Sequence, residues 1–182
     1  MEKPEMIVFD YGRTLIYEPN YNASNGNKAI YPYIDRNLRN ISFEEYDRSN
    51  MELFAKMKAE RGKYLEIHEH NFLRLFLDYM DISLSISLEE AEIIIMNGIS
   101  QGAVMPYADI MLDYLNAKGI RTGVISNNCF SGAALKEQLD RLLPENRFEF
   151  VLASSDYIFR KPHSIMYKIA LQKSGLTPDK VW

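Results

Sequence analysis

The chain alternates short apolar runs with segments whose apolar residues recur at helical spacing. An uninterrupted apolar run predicts a buried β-strand at residues 6–9, and residues 120–125 and 148–153 resemble a second and a third strand. Helical spacing predicts three helices between and after these strands, at residues 108–118, 133–143 and 164–174. Residues 181–182 are similar to the start of a fourth strand. Strands that alternate with helices indicate βαβ units, so we expect an α/β fold with a doubly wound parallel sheet.

A long stretch between the first strand and Pro106 has a different pattern. The tetrapeptides that begin at Ser42 and Ser87 fit capping boxes, in which Ser and Glu side chains bond the free N–H groups of a helix start. A helical stripe of apolar residues lies between them, within residues 72–80. Residues 20–27, rich in Asn, predict a flexible connection.

These patterns divide the chain into a core and an insertion. We assign residues 1–16 and 106–182 to the α/β core and residues 17–105 to a helical insertion. With 182 residues, the chain is long enough for a substantial core that carries a smaller inserted unit. Tyr17 and Tyr21 lie where the insertion begins, and they are candidates to line the entrance of a site.

Composition and charge exclude several classes of protein. Hydrophobic residues make up 47% of the chain and charged residues 25%, values typical of a soluble globular protein. The formal net charge is −4 and no dense run of Lys or Arg is present, which argues against a nucleic-acid partner. No apolar stretch approaches the ~20 residues that span a bilayer. The single cysteine, Cys129, has no His nearby in sequence and suits a buried residue without a catalytic role. Since the N-terminus lacks a signal-peptide pattern, we expect a cytoplasmic protein with no membrane partner.

Three groups of polar residues follow the predicted strands of the core. Asp10 follows the first strand, Ser126 and Asn127 follow the second, and Lys161 follows the third through a short loop. Because the carboxyl ends of parallel strands meet at one edge of a sheet, we expect these residues to line one ligand site. A carboxylate can attack phosphorus, while a Lys charge, a Ser hydroxyl and a backbone N–H can hold the anionic oxygens. The set therefore indicates phosphoryl transfer.

The order of these segments resembles the haloacid dehalogenase superfamily. An apolar strand that ends in Asp10 and is followed by Thr14 and Leu15 resembles the first motif of that family. The phrase AKGIRTGVISNN resembles the second motif with its preceding helix, and RKPHSIMYKIAL resembles the third. The helices inserted after the first motif are similar to the family's cap of the first type. The resemblance covers nearly the whole chain and implies a Rossmann-like core.

The resemblance also implies a role for each of these residues. Asp10 would be the nucleophile, and Lys161 would stabilise the charge of the phosphoryl group. Ser126 and Asn127 would bind phosphate. Mg²⁺ would be bound by Asp10 and by the backbone carbonyl of Gly12. The implied function is that of a Mg²⁺-dependent phosphatase that acts on a small phosphorylated metabolite through a phosphoaspartate.

Two residues of the first motif depart from the family pattern. Gly12 stands where a second Asp usually protonates the leaving group and later activates water, and Arg13 stands where Gly is common. General acid–base assistance contributes about 10²–10⁴-fold to rates, so esters with poor leaving groups should react slowly relative to aryl phosphates. This expectation changes if a residue of the insertion or a water molecule replaces the acid. Arg13 itself points either at the phosphate or to solvent.

The fourth motif of the family, an acidic loop that completes the metal site, would follow Trp182. The sequence thus resembles a shortened member of the family whose C-terminal strands are missing. We expect weak Mg²⁺ binding, because this cation prefers several oxygen ligands in octahedral geometry. We also expect an unpaired edge on the first strand. An inactive 182-residue form stays open beside the active hydrolase.

Other functions stay open as alternatives. A catalytically silent module would use the same pocket to bind a phosphorylated metabolite. A phosphonate hydrolase of this family also lacks the second acid and uses a lysine of its cap, for which Lys56, Lys58 and Lys63 are candidates. A haloacid hydrolase is favoured less, because Lys161 and Ser126 suit phosphate and no halide pocket is recognisable.

Several of these side chains also have purely structural explanations. Asp10 suits a turn, Lys161 suits a solvated loop, and residues 126–127 suit the cap of the next helix. His68 and His70 lack a third well-spaced ligand, so we expect them to be surface residues rather than part of a metal site.

Overall fold

The computed structural model describes residues 3–182, which contain strands and helices in alternation. The strands are β1 (Met6–Phe9), β2 (Ile16–Tyr17), β3 (Ile34–Asn37), β4 (Ile82–Leu84), β5 (Ala103–Val104), β6 (Arg121–Ser126) and β7 (Phe148–Ala153). The α-helices are α1 (Ala23–Ile30), α2 (Phe43–Glu60), α3 (Glu69–Met80), α4 (Leu88–Ile99), α5 (Ala108–Ala117), α6 (Gly132–Leu142), α7 (Ser154–Tyr157) and α8 (Ser164–Ser174). Short 3-10 helices lie at Tyr31–Tyr33 and Pro178–Lys180. Within residues 3–182, none of the helices combines the length and the apolar character needed to cross a membrane.

A parallel sheet in the order β1–β6–β7 forms the centre of the core. Phe9 pairs with Val124 and Ser126 pairs with Ala153, so the three strands end at one edge of the sheet. The strands and helices predicted for the core are confirmed, and their ends differ from the prediction by no more than a residue. This edge is where the polar residues of the predicted site begin.

The C-terminal residues pair with the other side of β1. The Val8 N–H donates to the Trp182 carbonyl at 2.7 Å, and the Trp182 N–H donates to the Met6 carbonyl at 3.0 Å. Val181 also forms a parallel bridge with Met6. The predicted fourth strand therefore begins here. The expectation of an unpaired edge on β1 is wrong, because these residues occupy the backbone groups of that edge.

Helices cover both faces of the sheet, because successive side chains of a strand point to opposite faces. Val124 of β6 belongs to the apolar cluster that includes residues of α5 and α6. The next residue, Ile125, belongs to the cluster that includes Met166 and Ala170 of α8. Layers of helices on both sides of a parallel sheet confirm the doubly wound α/β fold.

A short antiparallel pair of strands marks the place where the chain leaves and re-enters the core. Ile16 of β2 pairs with Val104 of β5, and Tyr17 pairs with Ala103. The segment between these strands, residues 18–102, contains α1–α4 and the β3–β4 pair and makes up most of the predicted helical insertion. Both crossings between the core and the helical insertion thus lie side by side.

The helices of the insertion begin where the capping patterns predict. The Ser42 hydroxyl accepts a hydrogen bond from the N–H of Glu45 at the start of α2. Ser87 and Glu90 form a complete capping box at the start of α4. The predicted apolar stripe lies on the buried face of α3, from Phe72 to Met80. These helices pack around that stripe, and the aromatic rings of α2 and α3 meet edge to face.

The prediction of a flexible connection at residues 20–27 is wrong, because most of this stretch belongs to α1. Asn22 caps the helix by accepting a hydrogen bond from the N–H of Ser24 at 3.1 Å. Gly26 allows α1 to approach α4 closely, since a Cβ atom at this position would lie 2.7 Å from the side chain of Ile99. In this stretch Asn22 therefore caps a helix, and Gly26 allows two helices to pack closely.

A second connection between the helical insertion and the core lies beside the end of β7. The N–H of Glu66 donates to the Ile158 carbonyl at 2.6 Å, and the N–H of Arg160 donates to the Tyr64 carbonyl at 2.8 Å. The two segments form an antiparallel bridge at this point. The loop that leads to Lys161 is therefore bound by backbone hydrogen bonds to the segment between α2 and α3.

Candidate active site

Asp10 and Lys161 are in contact at the carboxyl ends of the strands. The Lys161 Nζ atom lies 2.6 Å from Oδ1 of Asp10 and donates a second hydrogen bond, also of 2.6 Å, to the Ile125 carbonyl. The Lys161 side chain is 19% exposed and the Asp10 side chain 47% exposed, so the carboxylate stays open to an incoming ligand. The structure thus places a fixed cation beside an accessible carboxylate.

Asn127 holds the loop that carries this cation. Its Oδ1 atom accepts a hydrogen bond from the backbone N–H of Lys161 at 2.6 Å, and its Nδ2 atom donates to the Lys161 carbonyl at 3.0 Å. Both polar atoms of the Asn127 side chain are therefore bonded to the backbone of Lys161. The backbone N–H of Asn127 is the donor that the sequence predicts for an anion.

Ser126 is the last residue of β6 and is only 2% exposed. The explanation of residues 126–127 as a helix cap is wrong, because α6 begins later and has Ser131 as its N-cap. A loop of residues 127–131 thus separates the strand end from the helix start. Ser126 and Asn127 line the same cavity as Asp10 and Lys161, so the predicted site residues come together.

The cavity between the core and the helical insertion has a volume of about 760 Å³. The core contributes the strand-end residues, and the insertion contributes Glu18, Tyr21 and Lys58. Tyr17, at the end of β2, lines the cavity too. A volume of this size holds a small metabolite, since ligand pockets usually measure ~300–1,000 Å³. The prediction that Tyr17 and Tyr21 lie at the site agrees with this lining.

Gly12 and Arg13 also line the cavity, and they differ in backbone conformation. A Cβ atom at Gly12 would meet no atom within 4 Å, so the site has room for a side chain at this position. Arg13 adopts a left-handed backbone with φ 60°, a conformation that favours glycine. Its N–H donates to the Ile16 carbonyl at 2.7 Å, which closes the turn after Asp10. Arg13 is thus an exposed residue of the turn that borders the cavity.

Glu66 joins the helical insertion to the loop before Lys161. Its side chain is 5% exposed and forms ion pairs with Arg160 and Arg61. It also accepts a hydrogen bond of 2.9 Å from the hydroxyl of Ser154, the first residue of α7. Sequence reasoning missed this residue, because Glu66 and Arg160 are 94 positions apart and neither lies in a local pattern.

Glu92 of α4 makes a similar connection to the start of α6. Its carboxylate accepts hydrogen bonds from the N–H and the hydroxyl of Ser131, at 2.6 and 2.7 Å, and lies 3.0 Å from Nε2 of His70. Nε2 of His68 lies 3.5 Å from the carboxylate of Asp156. The expectation that His68 and His70 are surface residues is wrong, since both side chains are mostly buried. Each ring lies close to a carboxylate from a different helix.

Glu69, the first residue of α3, is a buried acid near the same network. Burial raises its pKa from 4.5 to about 7, and the nearby Glu92 adds to the shift, while a hydrogen bond with Cys129 opposes it. Burial also raises the pKa of the Cys129 thiol well above its usual value. Since a nucleophilic cysteine needs a lowered pKa, Cys129 has the properties of an inert residue.

The oxygen atoms of the site are a limited set for a divalent cation. Within residues 3–182, no group of three or more His, Cys, Asp or Glu side chains has an arrangement that could hold a metal ion. The contact with Lys161 uses only Oδ1 of Asp10, so the second carboxylate oxygen is available to a cation. Gly12 lines the same cavity. These oxygens fit Mg²⁺, a cation that uses one or two carboxylates and keeps water or substrate phosphate as its other ligands.

Comparisons with known proteins place these features in a family context. A family model described as haloacid dehalogenase-like hydrolase matches residues 20–182. The glyceraldehyde 3-phosphate phosphatase of Methanocaldococcus jannaschii is 26% identical to this chain over 178 residues, which cover 96% of the chain and 72% of that protein.

Solved structures have a similar fold. A HAD family enzyme from Bacteroides thetaiotaomicron matches with a TM-score of 0.57 and 15% identity, over 99% of this chain and 83% of that one. CbbY from Rhodobacter sphaeroides, solved in complex with phosphate, matches with a TM-score of 0.54 and 17% identity, over 98% of this chain and 76% of that one. At these identities the similarity concerns the fold.

Proposed function

The chain belongs to the haloacid dehalogenase-like hydrolase family, and from that premise we propose that it is a phosphatase. Its substrate is a small phosphorylated metabolite, and the reaction proceeds through a phosphoaspartate at Asp10. The observation that carries this proposal is the contact between Asp10 Oδ1 and Lys161 Nζ, 2.6 Å apart beside a metabolite-sized cavity. A relative named as a phosphatase and a structural neighbour with bound phosphate support the same chemistry.

Asp10 acts as the nucleophile. Lys161 binds Oδ1 and holds the Asp10 carboxylate in place for attack on phosphorus. As the new O–P bond forms, the O–P bond of the ester breaks and the leaving group takes up a proton. Water then attacks the phosphoaspartate, and this second step releases phosphate and restores the Asp10 carboxylate.

Preorganised donors stabilise the charge that develops on the phosphoryl oxygens. The Lys161 ammonium is fixed by the Ile125 carbonyl, and its loop is fixed by Asn127, so little reorganisation accompanies the reaction. The Ser126 hydroxyl and the backbone N–H of Asn127 hold the same oxygens. Mg²⁺, held by Asp10 and the Gly12 backbone, supplies further positive charge when it is bound.

The helical segment of residues 17–105 acts as a cap over this site. Tyr21 and Lys58 line the cavity from the side of the cap, opposite the strand ends. A cap that excludes water strengthens each electrostatic interaction inside the site and prevents side reactions. Lys58 adds positive charge that attracts an anionic substrate.

The test is hydrolysis of p-nitrophenyl phosphate by the full chain in the presence of Mg²⁺. We expect turnover that Asp10→Asn abolishes, because the amide cannot attack phosphorus. Asp109→Asn is the matched control, since Asp109 is an acid at the start of α5, away from the cavity lining. Acid-quenched enzyme should carry covalent phosphate in the parent protein and in the control, but not in Asp10→Asn.

A silent phosphometabolite-binding module is the second candidate, and the absence of a side chain at Gly12 favours it. Such a module would bind inorganic phosphate through Lys161 and Ser126 without turnover. Calorimetric binding of phosphate to the full chain, together with no hydrolysis of p-nitrophenyl phosphate, would support the module and overturn the phosphatase.

A further inference from the structure

The proposed reaction needs a proton for the leaving group, and Gly12 has no side chain to supply it. We propose that Glu18 is the acid–base residue of this site. It donates a proton to the departing ester oxygen and later takes a proton from the attacking water. This inference rests on the proposed phosphatase function and adds a catalytic residue to it.

The position of Glu18 is the first argument. Glu18 lines the same cavity as Asp10, Gly12 and Lys161, and it enters that cavity from the side of the helical insertion. Phosphate held at the strand ends would leave the rest of the substrate on the side of Glu18. A carboxyl group that shares the cavity with Asp10 and Lys161 is available to the leaving group of a bound ester.

The backbone on both sides of Glu18 is fixed. Tyr17, directly before it, pairs with Ala103 in the β2–β5 pair. The carbonyl of Pro19, directly after it, accepts a hydrogen bond of 3.1 Å from the Ser100 hydroxyl. A residue held at both neighbours keeps its Cα position, so the carboxyl group needs only side-chain rotation to reach its target.

The charges around Glu18 suit a proton donor. Partial burial raises the pKa of its carboxyl, and the nearby Arg13 guanidinium opposes that shift. Tyr11 and Tyr21 are close enough for the Glu18 charge to raise the pKa of their hydroxyls, and Lys58 lines the cavity as a further cation. A carboxyl whose pKa lies nearer to neutral pH transfers a proton more effectively in either direction.

The other proton-bearing side chains of the cavity are less suited to this role. The Tyr11 hydroxyl already donates to Gln138, and burial raises its pKa far above neutral pH. Burial raises the pKa of Tyr21 as well. Phenols ordinarily keep their proton up to about pH 10, whereas carboxyl groups release it far below that value. The Lys161 ammonium is bonded to Asp10 and Ile125.

The two steps balance with Glu18 as the proton carrier. In the first step Asp10 attacks phosphorus, the ester O–P bond breaks, and the Glu18 carboxyl gives its proton to the ester oxygen. The alcohol leaves, and Glu18 becomes a carboxylate. In the second step that carboxylate takes a proton from water as the water attacks phosphorus. The Asp10–phosphorus bond breaks, phosphate leaves, and Glu18 is protonated again.

The test compares Glu18→Gln with the parent protein on two esters, p-nitrophenyl phosphate and glycerol 3-phosphate. For the alkyl ester, a poor leaving group, we expect kcat/KM to fall by about 10²-fold or more. For p-nitrophenyl phosphate, which needs little protonation, kcat/KM should change less than about threefold, while kcat falls because water is no longer activated. Covalent phosphate should then accumulate on Asp10 in the variant.

Two further variants make the result specific. Glu52→Gln is the matched control, because Glu52 is an exposed glutamate of α2 that does not line the cavity. Gly12→Asp in the Glu18→Gln background should restore turnover of glycerol 3-phosphate, since the position has room for a side chain. An unchanged thermal midpoint of Glu18→Gln shows that the fold is intact.

The outcomes separate this inference from the proposed function. If Asp10→Asn abolishes turnover but Glu18→Gln lowers kcat/KM equally for both esters, or for neither, the phosphatase stands and the role of Glu18 is overturned. If the parent protein hydrolyses neither ester, the phosphatase itself is overturned, and the role of Glu18 with it. Loss that is selective for the alkyl ester supports both.

Discussion

The carboxylate of Glu92 in α4 accepts hydrogen bonds from both the N–H and the hydroxyl of Ser131, the N-cap of α6. A side chain of the helical insertion thus satisfies polar groups at the start of a core helix. The hydroxyl of Ser131 in turn accepts from the N–H of Ala134 at 3.1 Å. The loop that follows Ser126 leads to this helix, so the contact fixes the far end of that loop.

Removal of the Glu92 charge should destabilise the fold. In Glu92→Gln one of the two Ser131 donors, or the His70 ring, is left without its acceptor in a buried setting. We expect a loss of about 1–3 kcal/mol in the free energy of unfolding, measured by urea denaturation. Glu89→Gln, an exposed residue of the same helix, should cost less than about 1 kcal/mol. Equal losses in the two variants would contradict a structural role for Glu92.

Glu69 should make stability depend on pH. Its pKa in the folded state is about 7, raised from 4.5, so the folded state holds the proton more tightly than the unfolded chain. The contribution of Glu69 to the free energy of unfolding is fully present below pH 4.5 and is lost as the pH rises to about 7. The loss amounts to about 3 kcal/mol by the end of that range.

Glu69→Gln removes this titration. The variant should gain stability relative to the parent protein between pH 4.5 and about 7, with a constant difference above that pH. Urea denaturation at a series of pH values measures the difference in stability between the two proteins. Most other titrating groups affect both proteins equally and cancel in this difference, except the neighbouring Glu92 and Cys129. Parallel stability curves for the two proteins would show that folding does not raise the pKa of Glu69.

Gly123 of the central strand β6 should not tolerate a side chain. A Cβ atom there would lie 2.6 Å from the ring of Phe150 on β7, a contact that forces the ring or the strand to move. We expect Gly123→Ala to lower the free energy of unfolding by about 1–3 kcal/mol. Gly12→Ala is the matched comparison, because open space surrounds that position. If both variants melt at the parent temperature, β7 has more freedom than the structure indicates.

Lys58 should strengthen the binding of anions to the cavity. Lys58→Gln removes one positive charge from the lining, whereas Lys56→Gln removes the same charge from the same helix outside the lining. We expect Lys58→Gln alone to weaken binding of inorganic phosphate about two- to fivefold at low salt, with a smaller effect at high salt. Isothermal titration calorimetry with both variants tests this, and an equal effect would mean that only net charge matters.

Local patterns in the sequence were sufficient for much of the fold. Apolar runs and helical spacing predicted the core elements, and the serines at residues 42 and 87 predicted the starts of α2 and α4. Asp10 and Lys161 both follow predicted strands, and parallel strands end at one edge of a sheet. Their contact was therefore predictable. These features depend on residues close in sequence or on a general property of the sheet.

Features that depend on distant partners were not predictable in this way. The buried charges of Glu66 and Glu92 require partners that only the folded chain brings near. The Asn-rich residues 20–27 suggested flexibility, but Gly26 allows a helix crossing that depends on α4. Glu18 carried no motif, and its candidacy depends on the shape of the cavity.

The antiparallel contact between Glu66 and Ile158 has a mechanical consequence. The segment after α2 and the loop before Lys161 share backbone hydrogen bonds, so a displacement of one is transmitted to the other. Tilting of the insertion on arrival of a substrate would therefore shift the ammonium group relative to the carboxylate of Asp10. Under the proposed function, the distance between Asp10 and Lys161 would depend on the position of the helical insertion.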